Sequence, residues 1–303
     1  MNILVTGATG FIGFNLVKKL RHEGNTVFCT LLENEKNIFG EDIVQSIIIS
    51  KEDIFSIIEF LMRSKIDGII HLASFVQSGQ HYATDVEKLI SSNISFGSIL
   101  IEAASLAKIN WFINTGTYWQ NFDNMLYSPV NLYAATKQAF INIAEYYICT
   151  NKINFVTLKL FETYGPNDNR QKIFNIWKKN ANSEETLDMT KGDQVIDVSY
   201  IDDITAAYLI IARKLQSKNT ELSNGGIYAV KAEKRYTLKE LAVIFEKVTG
   251  QKLKIKWGGR SYNERNIITP YDKDEIVPGW KPIITIEDGI QKIFNNQNTI
   301  INE

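Results

Sequence analysis

A tyrosine and a lysine four residues apart are the first residues whose types and spacing could do chemistry. They enclose the segment Tyr133-Ala-Ala-Thr-Lys137. Residues four apart share one face of a helix, so the Lys137 ammonium can stand near the Tyr133 phenol. A phenol has an unperturbed pKa of about 10, and a neighbouring cation lowers it by favouring the phenolate. This spacing predicts a general acid or base active near neutral pH, although the pair alone is also typical of an ordinary amphipathic helix.

Two threonines follow an apolar run in Phe112-Ile-Asn-Thr115-Gly-Thr117. If this run is a strand of a parallel sheet, its carboxyl end faces the ligand crevice. A hydroxyl there can hydrogen-bond the substrate oxygen that Tyr133 protonates. Both threonines are candidates for that role. We assign it to Thr115 and expect Thr117 to contact the substrate.

Glycines recur at every third position from residue 7. The segment reads Thr6-Gly7-Ala8-Thr9-Gly10-Phe11-Ile12-Gly13 and lies between an apolar run and a helical pattern. In this context the glycines permit a tight turn, close approach of a pyrophosphate, and close packing of helix on strand. Free N–H groups and the dipole at the start of a helix favour the phosphates. The segment therefore predicts a dinucleotide site.

The end of the second apolar run bears on which dinucleotide is bound. An acidic residue there would bond the ribose 2′-hydroxyl of NAD, whereas a neutral or basic one admits the 2′-phosphate of NADP. The expected acidic position is Leu31, and Glu33 comes two places later. We therefore favour NADP. NAD stays open, because Glu33 is equally well explained as a ligand of the ribose and as a solvated loop charge.

The elements that must carry these residues alternate between strand and helix. Short apolar runs predict strands at 3–6, 26–32, 45–49, 68–72, 111–114 and 154–161. Apolar residues at helical spacing predict helices at 11–23, 55–63, 86–107 and 133–148. This alternation indicates an α/β protein with a doubly wound parallel sheet of the Rossmann type.

The rhythm changes after Gly165-Pro166. Helices are predicted at 172–179, 204–214, 238–249 and 286–295, and strands at 198–200, 225–230 and 253–257. We predict two interleaved domains. Residues 1–165 and 196–232 bind the dinucleotide, and residues 166–195 and 233–303 form a smaller α/β domain that binds the substrate.

Composition excludes several classes of protein. The 303 residues include 33 Lys and Arg against 34 Asp and Glu, so charge gives no reason to expect nucleic acid or an anionic membrane as partner. No apolar run is long enough to span a bilayer. Two cysteines cannot form a disulfide framework, which favours a cytoplasmic protein. Three dispersed histidines give no spacing for a metal site.

These signatures together resemble the extended short-chain dehydrogenases/reductases, in their nucleotide-sugar epimerase/dehydratase group. Tyr164-Gly-Pro and Tyr200-Ile-Asp-Asp also resemble segments of that family. The resemblance implies a nucleotide-diphosphate sugar as substrate and a homodimer built on helices around 93–107 and 133–150. It also adds cofactor-binding positions, which with the glycine-rich loop and the catalytic pair are Gly7, Thr9, Gly10, Phe11, Ile12, Gly13, Leu72, Ala73, Ser74, Asn93, Tyr133 and Lys137.

The family contains several chemistries, and the residues after Thr115 separate them. Its 4,6-dehydratases place Asp-Glu directly after the catalytic threonine, where this chain has Gly116-Thr117. What remains is a reductase of a C4 keto group or a C4 epimerase. The residues of the motifs resemble those of reductases of deoxy and dideoxy sugars, such as the CDP-abequose and CDP-paratose synthases of surface polysaccharide biosynthesis. We favour a reductase, with an NAD-dependent 4-epimerase and a non-catalytic nucleotide-binding member as alternatives.

The substrate diphosphate needs cationic donors. The family commonly has Arg-Asp before the aromatic residue of its late strand, where this chain has Ile196-Asp197. Arg260 and Lys172 are the substitutes we favour for the missing arginine. Asn167, after Tyr164-Gly-Pro, completes the predicted substrate set.

Overall fold

The computed structural model describes residues 1–41, 43–48, 53–77 and 81–295. Its strands are β1 (Asn2–Thr6), β2 (Thr26–Leu31), β3 (Gln45–Ile48), β4 (Gly68–His71), β5 (Trp111–Thr117), β6 (Asn154–Leu160), β7 (Glu162–Tyr164), β8 (Leu187–Met189), β9 (Val195–Ile196), β10 (Val198–Tyr200), β11 (Ile227–Ala229), β12 (Tyr236–Thr237), β13 (Ile255–Trp257) and β14 (Glu275–Ile276). Its helices are α1 (Phe11–His22), α2 (Ile54–Arg63), α3 (Asp85–Ile90), α4 (Phe96–Leu106), α5 (Leu132–Cys149), α6 (Ile173–Ala181), α7 (Ile201–Gln216), α8 (Leu238–Thr249) and α9 (Ile286–Asn295). A π-helical turn at Ser91–Ser95 joins α3 to α4, and a 3₁₀ turn at Tyr118–Gln120 follows β5.

Eight parallel strands form one sheet in the order β14-β11-β6-β5-β4-β1-β2-β3. The strand order changes direction between β1 and β4, and open parallel sheets bind their ligands at such a switch point. Thr6 pairs with His71, and His71 pairs with Asn114. This register brings the carboxyl ends of β1, β4 and β5 to one edge of the sheet.

Both faces of the sheet are buried, which explains why its strands are continuously apolar. On β1, Ile3 and Val5 belong to one core cluster and Leu4 to the other, because alternate residues of a strand point to opposite faces. Helices α1 and α7 pack against the first face, and α2, α4 and α5 against the second. The predicted α/β fold with a doubly wound parallel sheet is therefore confirmed.

A third apolar cluster lies outside the sheet. It contains Phe174 and Trp177 of α6, Phe245 of α8 and Ile290 of α9, together with Tyr200. Three two-stranded pairings accompany it, namely β7 with β10, β8 with β13, and β9 with β12. This third cluster forms a core of its own, separate from the two on the faces of the sheet, and packs the later part of the chain beside the carboxyl end of the large sheet.

The main elements lie close to their predicted positions, and the differences are local. Strand β5 extends three residues beyond its predicted end, so Thr115 and Thr117 are strand residues. The short strands β7, β8, β9, β12 and β14 were not predicted, since two or three residues are too few to show a periodicity. The predicted third strand ends at Ile49, which lies outside the described residues, as do residues 296–303 of the predicted substrate domain.

The two predicted domain ranges remain a prediction. Strand β14 lies within the range 233–303 but pairs with β11 in the large sheet. A buried ion pair of 2.9 Å between Lys159 of β6 and Asp274 reinforces this attachment. The later part of the chain thus contributes both to the third apolar cluster and to the edge of the large sheet.

Candidate active site

The glycine-rich loop is shaped by close backbone contacts. Gly7 has a φ of +66°, and a Cβ there would lie 2.7 Å from the backbone N of Ala73. A Cβ on Gly13 would lie 2.1 Å from the carbonyl oxygen of Gly7. Helix α1 begins after Gly10, which supplies no side-chain cap to its first N–H groups. The cradle therefore fits a pyrophosphate, which would accept hydrogen bonds from those groups.

The hydroxyl of Thr6 joins this loop to the end of β4. Its Oγ1 accepts hydrogen bonds from the backbone N of Leu72 at 3.2 Å and of Ala73 at 3.1 Å. It also bonds Nδ1 of His71 at 2.8 Å. Leu72 and Ala73, both predicted to contact the cofactor, are thereby held beside Gly7.

Helix α5 presents the predicted acid and its lysine. Asn131 caps the helix by accepting a hydrogen bond from the backbone N of Ala134 at 3.0 Å. Tyr133 then lies in the first turn and Lys137 in the second, where Lys137 is only 2% exposed. Both side chains line one cavity at the carboxyl edge of the sheet.

Burial dominates the titration of this pair. It raises the pKa of Tyr133 to about 12, against which a hydrogen bond with Ser74 acts. It lowers the pKa of Lys137 to about 8. The expectation that Lys137 depresses the pKa of Tyr133 is therefore wrong for this structure, because desolvation disfavours both charged forms. At neutral pH the phenol holds its proton.

The two threonines of β5 differ in their partners. Thr115 Oγ1 lies 2.7 Å from the hydroxyl of Tyr208 on α7. Thr117 Oγ1 accepts a hydrogen bond from the backbone N of Trp119 at 3.3 Å, and no acceptor for its own proton occurs among the described residues. Both threonines line the cavity with Tyr133. Tyr208 is a site residue that the sequence did not reveal.

Asn93 connects the β4 loop to the catalytic helix. Its Oδ1 accepts hydrogen bonds from Ser74 Oγ at 2.9 Å and from the backbone N of Phe75 at 2.8 Å. Its Nδ2 donates to the carbonyl of Phe75 at 3.0 Å and to Thr136 Oγ1 at 2.9 Å. Thr136 in turn donates to the carbonyl of Tyr133. The π-helical turn that carries Asn93 is a geometry often found at functional sites.

The cavity has a volume of about 220 Å³ and collects most of the predicted residues. The predicted residues that line it are Gly7, Gly10, Phe11, Ile12, Gly13, Leu72, Ser74, Thr115, Thr117, Tyr133, Lys137 and Lys172. Three predicted cofactor residues are not part of this lining. Asn93 accepts a hydrogen bond from Ser74, the backbone of Ala73 donates to Thr6, and Thr9 donates to Glu35.

Two predicted substrate ligands lie elsewhere. Asn167 lines a neighbouring cleft of about 1000 Å³ beside α6. Arg260 is exposed after β13, and within the described part of the chain its side chain has no hydrogen bond or ion pair. Lys172 lies in the cavity but forms an ion pair of 2.7 Å with Glu162. These three predicted substrate ligands, of which Arg260 and Lys172 were predicted to bind the diphosphate, are thus not gathered at one point.

A carboxylate with no predicted role, Glu35, lies beside the glycine-rich loop. Glu35 Oε1 accepts a hydrogen bond from Thr9 Oγ1 at 3.1 Å, and its Oε2 accepts one from the backbone N of Leu32 at 2.9 Å. Leu31, at the expected acidic position, is buried in the core. Glu33 is exposed. The signal for Glu35 was available as a second acid about 20 residues after Gly13, but spacing alone does not choose between neighbouring glutamates.

The helical segment Asp85–Leu106 corrects the expectation that no apolar stretch of this chain is long enough to span a bilayer. With 22 residues and a mean hydropathy of 1.4, it is long and apolar enough to cross a bilayer by those measures. Its Leu100, Ile101, Ala103 and Ala104 are buried in the core beneath the sheet. A core helix of a soluble protein has the same properties, so the segment carries no argument for a membrane span.

The fold and the site together define a dinucleotide-binding protein with a Tyr–Lys pair at the switch point of its sheet. Residues 3–228 match the model of the NAD dependent epimerase/dehydratase family, and the chain belongs to that family. The predicted membership is confirmed.

Relatives and solved structures extend this result over the whole chain. The CDP-abequose synthase of Salmonella muenchen is 27% identical over 300 residues, which are 97% of each chain. That of Yersinia pseudotuberculosis is 28% identical over 277 residues, covering 89% of this chain and 92% of the relative. A UDP-glucose-4-epimerase from Stenotrophomonas maltophila, solved with bound NAD and formylated UDP-arabinopyranose, superposes with a TM-score of 0.85 at 16% identity over 99% of both chains. This last likeness concerns the fold.

Proposed function

We propose that this protein is an NAD(P)-dependent reductase of the C4 keto group of a nucleotide-linked deoxy or dideoxy sugar, with CDP as the first nucleotide to test. The observation that carries the proposal is the similarity to CDP-abequose synthases over 97% of both chains. The product would serve surface polysaccharide biosynthesis. When bound, the reduced nicotinamide supplies the hydride.

Tyr133 acts as the proton donor to the C4 oxygen. Burial raises its pKa to about 12, so it carries its proton at neutral pH. A reduction needs that proton, and a 4-epimerase needs it in its re-reduction step. The protonated phenol therefore fits the proton-donor role that the proposed reduction requires.

Lys137 and Thr115 orient the reacting groups. The pKa of Lys137, about 8, leaves it mostly cationic at neutral pH, where it can donate to the nicotinamide ribose. The hydroxyl of Thr115 is positioned by Tyr208 and can donate to the same oxygen as Tyr133. A hydroxyl held in place before the substrate binds needs no reorganisation during the reaction.

We propose NAD rather than NADP as the cofactor. The NADP preference rested on Leu31, and the structure supplies a different acid, Glu35, that is bonded to Thr9 of the glycine-rich loop. A carboxylate beside this loop can accept a hydrogen bond from the ribose 2′-hydroxyl and repels a 2′-phosphate.

Two other arginines near the missing arginine position are already paired within the protein. Arg235 reaches Asp197, next to the missing arginine at Ile196, but its Nε is paired with that carboxylate at 2.8 Å. Arg265 donates to Ser128 and to the carbonyl of Pro129. Arg260 and Asn167 are the proposed substrate ligands of this region.

The test is an assay in which the protein reduces a CDP-linked 4-keto-6-deoxy sugar, with the reaction monitored by the loss of NADH or NADPH absorbance. Turnover that depends on added reduced cofactor supports the reductase. A 4-epimerase would instead retain tightly bound NAD through dialysis and interconvert UDP-sugars without added cofactor. Cofactor binding with no turnover on a panel of nucleotide sugars would indicate a non-catalytic member.

We further propose a cytoplasmic homodimer. Ile90, Ile143 and Tyr146 are large side chains that remain exposed on α3 and α5. They lie on or beside the helices that the family resemblance implies for pairing. Light scattering at micromolar concentration measures the assembly, and a monomer would contradict it.

A further inference from the structure

Glu162 is a carboxylate of the cavity that no sequence motif singled out. Glu162 begins β7 and lines the same cavity as Tyr133 and Thr117. Its Oε1 accepts a hydrogen bond from the hydroxyl of Tyr118 at 3.0 Å, and its Oε2 accepts one from Lys172 Nζ at 2.7 Å. The 3₁₀ turn after β5 and the start of α6 thus both converge on one carboxylate.

The carboxylate is charged and still accessible. Burial acts to raise the pKa of Glu162, but the Lys172 ammonium and the hydrogen bonds from Lys172 and Tyr118 outweigh it and hold the pKa below its usual value. An ionised carboxylate has about four acceptor positions, and these two bonds use two of them. Because the Glu162 side chain keeps 21% of its surface exposed, a ligand can reach the others.

An aromatic wall runs from this carboxylate to the proposed acid. Tyr118 stacks on Phe161 with ring centroids 5.1 Å apart, and it adjoins Trp119 at 6.0 Å. Trp119 meets the ring of Tyr133 edge to face, also at 6.0 Å. Whatever lies against this wall spans the distance between Tyr133 and Glu162.

The chemistry of the wall selects a neutral group with hydroxyl donors. A diphosphate would be repelled by the Glu162 carboxylate, and the Lys172 charge is already compensated by that carboxylate. A hydroxyl is a suitable donor to an ionised carboxylate, and such charge-assisted bonds are the stronger ones. Lys172, predicted as a phosphate ligand, is therefore proposed here to hold the Glu162 carboxylate.

We propose that Glu162 accepts a hydrogen bond from a ring hydroxyl of the sugar whose carbonyl faces Tyr133, with Lys172 and Tyr118 as its positioning residues. The proposal rests on the proposed function and names how the sugar, as distinct from its nucleotide, is recognised. The diphosphate then lies outside this group of three residues.

The experiment compares binding of CDP with binding of CDP-glucose by calorimetry at saturating NAD. UDP and UDP-glucose serve if the wild type prefers uridine. Glu162→Gln removes the charge and keeps the shape. We expect its affinity for CDP-glucose to fall about 10- to 100-fold, while its affinity for CDP stays within about twofold of wild type. Lys172→Met should show the same selective loss, and Glu233→Gln, an exposed carboxylate outside the cavity, should show none.

Two results overturn the proposal. One is unchanged affinity of Glu162→Gln for CDP-glucose. The other is an equal loss for CDP and CDP-glucose in either variant, which would indicate a phosphate or structural role. If Glu162→Gln melts well below wild type, Tyr118→Phe decides, since it keeps the ring and should weaken only CDP-glucose. A wild type that binds no nucleotide or nucleotide sugar refutes the proposed function itself, and this inference with it.

Discussion

Thr9 donates a hydrogen bond of 3.1 Å to Glu35 and so joins the glycine-rich loop to the loop after β2. We expect Glu35→Gln to raise the affinity for NADPH relative to NADH by about tenfold or more, because the charge that repels a 2′-phosphate is removed. Fluorescence titration with each cofactor measures the ratio. Glu33→Gln is the matched control and should leave it near wild type. A larger effect at Glu33, or tighter NADPH binding by wild type, would restore the preference for NADP.

Because Lys137 is buried, the free energy of unfolding should change with pH in the alkaline range. Burial lowers its pKa from 10.5 to about 8. Between these values the unfolded chain binds a proton that the folded chain has released, so stability rises with pH across this window. Below pH 8 the folded protein bears the full cost of burying the charged Lys137 ammonium, which the two pKa values put at about 3 kcal/mol.

We therefore expect Lys137→Met to unfold at higher urea concentration than wild type at pH 7, with the difference shrinking as the pH rises from 8 towards 10.5. Lys247→Met, on the exposed face of α8, should show no such trend. A constant difference across this window would argue against a buried, destabilised ammonium.

Tyr133→Phe should reduce turnover by about 10²- to 10⁴-fold, because it removes the proposed proton donor. The dissociation constant for NADH should change little, since the ring and its contact with Trp119 remain. Steady-state rates and cofactor titration give the two numbers. Wild-type-like turnover in this variant would exclude Tyr133 as the acid.

Thr115→Val should lower kcat by about 10- to 100-fold through the loss of one donor to the substrate oxygen. Tyr208→Phe should lower it less, because Tyr208 acts only by holding the Thr115 hydroxyl. Thr117→Val is the comparison, and we expect it to raise KM more than it lowers kcat. If Thr117→Val instead has the larger effect on kcat, the donor role passes to Thr117.

Asn93→Ala should destabilise the protein by about 2–4 kcal/mol, since it leaves both backbone groups of Phe75 without their buried partners. Chemical denaturation measures the loss. Ser95→Ala, at an exposed position of the same π-helical turn, should be close to neutral. A neutral Asn93→Ala would show that Asn93 does not hold the β4 loop to α5.

Several features were determined by residue order alone. The glycine-rich loop was predictable because a strand, three glycines and a helix must follow one another directly for the cradle to form. The Tyr133–Lys137 pair was predictable because residues four apart on a helix are neighbours wherever the helix lies. The parallel sheet followed from alternating apolar strands and helices, since only a sheet buried on both faces accounts for strands apolar throughout.

What only the tertiary structure decided are the pairings between distant segments. Glu35 reaches Thr9 across 26 positions, Glu162 reaches Tyr118 across 44, and Thr115 reaches Tyr208 across 93. The pKa of Tyr133 also moved against the local expectation, because burial is the largest cause of the shift in both Tyr133 and Lys137. Residue spacing along the chain determines local geometry, whereas partners and desolvation depend on which surfaces the fold brings together.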